Sequence, residues 1–437
     1  MEKIWFLLYN VILVPLQYIF FQTARHFNKK ISDGIRGRKG QTERIRQALA
    51  SVAPIRKRIL FHCVSVGEWE QALPVISRLK REMPTVFIIV DFFSPSGYLY
   101  VKEHPDVDLI VYLPFDSYFR ARSFLRLIKP DLFIVVKHDI WPNHLYAAKH
   151  LRIPAILIDA NLPASSRRIA PLVAQFNRSV YDEFQYIFPV SEQDKERFLK
   201  IFLYPDRLFV TGDTRYDQVF NRGQKALISP PLMIFSHTGI VFIAGSIWPA
   251  DEKHIIPAVI ELHKKYPDVN IILVPHEINE GHLSTIESEM QLASIGSKRW
   301  SEISKTGSTP ECVVIIDAVG LLVKLYSQSD IVYVGGSFSS GVHNVMEPGI
   351  LGKPVIFGPR YTNSFEAGEL IKCGGGFSVT DAQDIVTIVS QFIENPGERA
   401  KAGSRARQLI RQNLGAADKI IQYIKEFYDI IPKIHSN

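Results

Sequence analysis

The chain has 437 residues, 46% hydrophobic and 22% charged, with a formal net charge of +7. That length exceeds what one hydrophobic core organises, so two domains are expected, and the composition excludes a disordered chain. Three scattered cysteines (Cys63, Cys312, Cys373) exclude a disulfide framework, and the absence of a zinc-finger or RNP-type motif turns the basic excess away from nucleic acid, toward an anionic membrane or small molecule.

Residues 4–21 form an apolar run broken by Asn10, Pro15 and Gln17. Eighteen residues at helical rise reach about 27 Å, short of a bilayer core of about 30 Å. No small-residue cleavage site follows, which argues against a removable signal peptide. Next come Arg25, Lys29, Lys30, Arg36, Arg38, Lys39, Arg44 and Arg46, against only Asp33 and Glu43. Basic residues after an apolar run follow the positive-inside rule and put the remainder of the chain on the cytoplasmic face. A membrane anchor over residues 1–22 is therefore expected, either spanning or lying in the interface, with a buried core helix as the bland alternative.

Beyond it, short apolar runs alternate with helical patterns. Strands are expected at 59–66, 86–92, 109–112, 132–136, 155–158, 186–190 and 208–211, then at 241–244, 270–274, 313–316, 331–334, 354–357 and 376–378. Helices are expected at 68–83, 96–103, 117–128 and 141–150, and an amphipathic helical segment at 399–432. The strands are apolar without alternation, as parallel strands buried on both faces are. Residues 221–236, with Pro230 and Pro231, read as a linker. The fold class is α/β: two doubly wound Rossmann-like domains, 23–220 and 221–410, with a cleft between them, and a C-terminal helix over 411–437. Ligands of such sheets bind beyond the carboxyl ends of the strands.

Two junctions carry chemistry. The first reads FHCVSVGEWEQALPV, where Glu68 follows Gly67 at a helix start. The helix dipole favours an ionised carboxylate there, which suits a general base; taken alone, the segment equally describes a plain first-turn residue. The second is IVYVGGSFSSGVHNVMEPGILGKPVIFGP (331–359). It reads as a strand, a glycine turn (Gly335, Gly336, Ser337), a helix beginning near His343 and Asn344, and another strand. Free amides at a helix start attract phosphate. Asn344 with Glu347 three residues on describes a ligand contact or a helix cap.

The ordered set SVGE, FFSPSG (92–97), YLPFD (112–116), DIWPN (139–143), PVSEQDKERF (189–198), VTGDTRYD (210–217), AGSIWPADE (244–252), LVPHE (273–277), GGS…GVHNVMEP and GKPVIFGP (352–359) resembles the 3-deoxy-D-manno-octulosonic acid (Kdo) transferases of lipid A assembly. Each motif is weak alone; together, in order, they cover nearly the whole chain. The resemblance implies a GT-B fold and transfer of Kdo, with inversion, from CMP-Kdo to a lipid A precursor (lipid IVA). It implies no metal ion and no cofactor besides the donor substrate. It also implies attachment to the anionic lipids of the inner membrane. By the family pattern Glu68 is the general base. Arg215 stands where relatives usually carry a transition-state lysine, and guanidinium keeps that charge. CMP contacts would fall on Pro275, His276, Val319, Gly320, Leu321, Gly336, Ser337, Asn344, Val345, Met346 and Glu347.

Three departures stand out. The usual Glu-Thr-Glu reads Lys137–His138–Asp139, which reverses a charge; Lys137 would then bind the Kdo carboxylate or a lipid A phosphate, with Asp139 keeping the second acid. The usual Pro-Arg-His reads Pro275–His276–Glu277, and the block at Val319 lacks the usual Glu after its glycine. Ser65 has no recognisable histidine–acid pair. His62, His144, His254 and His282 lack zinc spacing and read as structural, and Trp141 and Trp248 read as packing residues. Competing readings are a GT-B enzyme of UDP-sugars, an epimerase among them, and a non-catalytic membrane-tethered nucleotide-binding scaffold.

Overall fold

The computed structural model describes every residue except Met1, 54–55, 138, 233, 236–238, 307–312 and 435–437. Of the residues singled out above, Cys312 and His138 lie outside the described set. The chain divides into two compact units, residues 1–218 with 415–437, and residues 219–414. The C-terminal helix Ala416–Ile434 thus returns to the first unit, tied by Asp217, whose carboxylate accepts the Gly415 and Ala417 amides at 2.8 Å each.

The first unit is a six-stranded parallel sheet of β1 (Arg58–Cys63), β2 (Phe87–Phe92), β3 (Leu109–Tyr112), β4 (Leu132–Val136), β5 (Ala155–Ala160) and β6 (Tyr186–Pro189), in the order β3-β2-β1-β4-β5-β6. The second holds β7 (Val241–Ile247), β8 (Asn270–Pro275), β9 (Ser297–Arg299), β10 (Val313–Ile315), β11 (Ile331–Val334), β12 (Val355–Phe357) and β13 (Gly376–Ser378), in the order β13-β12-β11-β7-β8-β10-β9. Register is set by apolar residues on both faces: β1, for example, pairs Leu60 with Ile89 of β2 and with Phe133 of β4, all buried. In each sheet the strand order reverses beside the first strand, between β1 and β4 and between β7 and β11. Those reversals are where doubly wound sheets open a crevice.

Several expected elements differ. Residues 208–211 form no full strand: an isolated bridge joins Leu208 to Ile187, and the Phe209 and Thr211 amides bond Ile187 O and Pro189 O at 3.2 and 3.1 Å before Gly212, at φ +99°, ends the pairing. β9, polar and three residues long, carries no apolar signal. Half of the expected linker is helix: Thr214–Ile228 runs unbroken through Asn221, since Pro230 and Pro231 end a helix without shortening it. The helix after the glycine turn starts at Met346, not near 343, and is five residues long.

The N-terminal apolar run is helical over Ile4–Ala24, long and apolar enough to cross a membrane, with a π-helical stretch at Tyr9–Leu13. One face is docked on the first unit at Phe6, Tyr9 and Asn10 near its start and at Phe21 near its end. Phe6 meets Tyr118 and Tyr146 edge-on, and Tyr9 donates to Asp116 at 2.7 Å. Asn10 and Asn143 exchange two amide hydrogen bonds, at 2.9 and 3.0 Å, and Phe21 packs on Phe93 and Phe115. The opposite face is bare: Ile4 is 62% exposed and Val11 63%. Arg38, from the basic run, faces inward. It donates to Gly34, Phe93 and Leu113 carbonyls beneath the Phe93, Tyr112 and Phe115 rings.

Gly335, between β11 and the turn, is the tightest backbone approach at either reversal: a Cβ there would lie 2.2 Å from Ser246 O and 2.8 Å from Ile247 Cα. Neither backbone atom can yield without breaking the β7–β11 ladder. Gly335→Ala is therefore expected to destabilise the protein by about 1–3 kcal/mol, the usual cost of overpacking, measured by urea unfolding against a surface control such as Gly397→Ala.

Candidate functional site

At the first reversal, β1 runs into the helix Val66–Glu82 and delivers Glu68 to its third position. The side chain is buried, and its Oε2 accepts the Ser65 amide at 2.9 Å and the Ser65 hydroxyl. Ser65 Oγ in turn accepts the Gly67 amide at 3.2 Å. This is a full capping box, so the bland role of Glu68 is realised. It does not exhaust the carboxylate, because both contacts fall on one oxygen. Across the reversal, β4 ends in Lys137, held at φ +71° with its amide still bonded to Ile158 O at 2.8 Å. Left-handed backbone costs a branched chain energy and marks sites held by their surroundings. Asp139 follows, half-buried.

Behind Glu68 lies His62, fully buried, with Nδ1 2.5 Å from Asp91 Oδ1. Burial opposes its protonation, but the Asp91 carboxylate outweighs burial, and Asp139 and Glu68 add to it, so the pKa rises above the ordinary imidazole value. Arg215 lies beyond β6, in the first turn of the helix Thr214–Ile228, just after Asp213. Its Nε and Nη2 grip Asp213 Oδ2 at 2.8 and 2.7 Å, with the side chain 45% exposed. The same helix is bonded to the Glu68 helix, through Thr214 Oγ1 to Gln71 O at 2.7 Å and Gln218 to Glu70 at 2.7 Å.

At the second reversal the expected phosphate cradle is already occupied from within. The Gly336 amide donates to Asp251 Oδ2 at 2.8 Å, and the same carboxylate takes the Trp248 amide and the Tyr333 hydroxyl, each at 2.9 Å. Ser337 is fully buried, its Oγ accepting the Gly358 amide at 2.6 Å. Gly336 and Ser337 therefore help hold the turn together: a buried amide must be satisfied in the folded chain, and Asp251 satisfies that of Gly336. Nothing in the sequence marks Asp251 beyond its capping position in AGSIWPADE.

Around that turn, access is uneven. Asn344 is exposed, its Oδ1 accepting the Met346 amide at 3.1 Å. Val345 and Met346 are buried. Glu347 is buried too, paired with Arg222 at 3.3 Å. Gly320, at φ +83°, makes the turn after β10 between Val319, 87% exposed, and Leu321. Pro275 closes β8, and the exposed His276 lies between two rings, stacked on Trp248 (4.4 Å) and on His343 (4.5 Å). Trp248 is thus more than packing: its Nε1–H donates to His343 Nε2 at 2.7 Å. Indole only donates, so His343 is held neutral with its proton on Nδ1. Burial first, then His276, lowers its pKa, against the pull of Asp251.

Two parallel sheets wound in these orders define a GT-B fold of two Rossmann-like units. A UDP-GlcNAc 2-epimerase from Neisseria meningitidis, solved with UDP-GlcNAc bound, shares the fold with a TM-score of 0.59 and 22% identity, over 84% of this chain and 100% of that one. Within that class the sequence is more particular. The family described as 3-Deoxy-D-manno-octulosonic-acid transferase (kdotransferase) matches residues 35–218. A 3-deoxy-D-manno-octulosonic acid transferase of Aquifex aeolicus is 29% identical over 351 residues, 80% of this chain and 89% of that one. One from Chlamydophila psittaci is 26% identical over 373 residues, 84% of each chain. The chain is thus similar to Kdo transferases over most of its length.

The histidine–tryptophan stack makes a pH prediction. A His whose folded pKa is lowered leaves the unfolded chain binding more protons below about pH 6.5. Stability from His343 is therefore present above that pH and lost as pH falls through the lowered folded value. A thermal unfolding series from about pH 7.5 to 5 should decline more steeply in the wild type than in His343→Gln.

Proposed function

We propose that the protein transfers Kdo from CMP-Kdo to a lipid A precursor, in a single inverting displacement without a metal ion. The observation that carries this reading is Glu68: a buried carboxylate with one oxygen tied to Ser65, at the strand-order reversal of the first sheet, in a chain whose relatives are Kdo transferases. In the proposed reaction Glu68 takes the proton of the acceptor hydroxyl as that oxygen attacks the anomeric carbon, and CMP leaves from the opposite face. Arg215, oriented by Asp213, offsets negative charge developing in the transition state. Lys137, with Asp139 beside it, contacts the Kdo carboxylate or a lipid phosphate. In the second unit, the segment Asn344–Glu347, the Val319–Leu321 turn and the Pro275–His276 edge receive CMP. With Gly336 and Ser337 engaged internally, the phosphate falls to the 344–346 segment.

The docked helix supports a lipid acceptor at the inner membrane. It sits on the loops that follow β2, β3 and β4 at Phe93, Asp116 and Asn143, the same sheet edge that carries Glu68. A helix whose face is fixed to a folded unit from Phe6 to Phe21 has no free length with which to cross about 30 Å of hydrocarbon. The proposed arrangement is therefore interfacial, the bare apolar face in the cytoplasmic leaflet and both units in the cytoplasm. A single cysteine at position 2 should be labelled by impermeant maleimide only from the cytoplasmic side of inverted and right-side-out vesicles; labelling from the periplasmic side would establish a span.

Glu68→Gln is the informative variant, because glutamine also completes a capping box yet cannot take a proton. Incubated with CMP-Kdo and tetraacyl lipid A precursor, it should lose about 10²–10⁴-fold in transfer, read by mass spectrometry of the lipid, with an unchanged melting temperature. In the same assay Lys137→Ala should raise a Michaelis constant; unchanged constants would remove Lys137 from the site. CMP, and not UDP, should raise the melting temperature, which separates this reading from a UDP-sugar epimerase sharing the fold.

A further inference from the structure

The carboxyl edge of the first sheet carries another acid. Asp159, near the end of β5, is fully buried and held at φ +51°. Its Oδ1 accepts the Thr214 amide at 2.8 Å, and its Oδ2 lies 2.6 Å from Thr214 Oγ1. That hydroxyl also lies 2.7 Å from Gln71 O. A hydroxyl has one proton, and a carbonyl oxygen only accepts. With the Thr214 proton on Gln71 O, the contact to Asp159 is a hydrogen bond only if Asp159 supplies the second proton. An ionised Asp159 would leave one of these two buried oxygen pairs with no proton between them.

The surroundings agree with a neutral acid. The charges acting on Asp159 are Asp213 and Arg215 of the turn, and Arg215 is already gripped by Asp213. From β4, Lys137 reaches β5 through its backbone amide. The Glu68 helix presents the Gln71 carbonyl. Burial first, then the Asp213 charge, push the carboxyl well above the ordinary range, against the Thr214 bonds and Arg215.

We propose that Asp159 is held as a neutral acid whose proton, through Thr214, clamps the 213–215 turn and its arginine onto the helix that carries Glu68. Asp159 is thus a positioning residue for the reaction, touching neither substrate. The assignment of Arg215 and Glu68 to catalysis rests on the function proposed above; the protonation of Asp159 does not. Ionisation removes the donor, so the clamp is intact at neutral pH and opens in alkali.

Asp159→Asn tests the first part. The amide donates to Thr214 Oγ1 and accepts the Thr214 amide as the neutral acid does, but it does not titrate. An acid whose folded pKa is raised gives stability that is complete below its unfolded value and declines as pH rises through the folded one. The melting temperature of the wild type should therefore fall relative to Asp159→Asn from about pH 4 to about pH 9. Parallel curves, with Asp159→Asn less stable throughout, would mean that Asp159 is ionised and overturn the proposal. Thr214→Val tests the clamp without altering the acid: kcat should fall about tenfold or more with little change in KM, while Asp159→Asn keeps kcat and loses the alkaline decline. A folded Thr214→Val enzyme with wild-type kcat would overturn the positioning role. If the wild type transfers no Kdo, the melting curves still decide the state of Asp159, so the two failures are told apart.

Discussion

A parallel sheet ends with amides that have no strand left to bond, and in this protein buried carboxylates answer that constraint. Glu68 takes the Ser65 amide after β1, Asp116 the Asn143 amide after β4, and Asp159 the Thr214 amide. Asp194 takes Leu162 after β5, and in the second unit Asp251 takes Trp248 and Gly336. An unsatisfied buried amide costs about 1–3 kcal/mol, so these acids are first of all structural. They also load the carboxyl edges with charge and protons where doubly wound sheets receive their ligands.

That double duty explains why cap and catalyst are hard to separate here. Glu68 caps its helix through one oxygen of two, and the other is left for the proton transfer proposed above. Asp251 is wholly committed to the Trp248 and Gly336 amides and the Tyr333 hydroxyl, so the glycine turn is held from within. Asp116 ties the sheet to the N-terminal helix through Tyr9 and to His144 at 2.8 Å. The aromatic and polar residues of the FFSPSG, YLPFD and DIWPN motifs thus seat that helix, and Phe93, Asp116 and Asn143 owe their places to it.

Much of the fold was legible because buried parallel strands are continuous apolar runs. β3, β4, β11 and β13 begin and end where their sequence expects. The signal failed where another force set the structure. Leu208–Thr211 is apolar, yet Gly212 ends its pairing. Asn221 lies in a polar stretch, yet its helix is already running. β9 is recruited by the edge of β10 without an apolar run of its own. The candidate site was legible as positions, Glu68 and Asn344 foremost. Its wiring was not, since Asp251 lies 85 residues from Gly336 in the chain and Thr214 lies 143 from Gln71.

The sequence alone determined the architecture, two apolar-stranded units behind an apolar helix, and the resemblance to Kdo transferases, through an ordered set of motifs. Both follow from local composition and chain order. The tertiary structure decided which amides remain open, which carboxylates are neutralised and where the helix lies. Those depend on partners brought together from distant parts of the chain, and on burial, which turns a satisfied or unsatisfied hydrogen bond into a free-energy difference that no local pattern encodes.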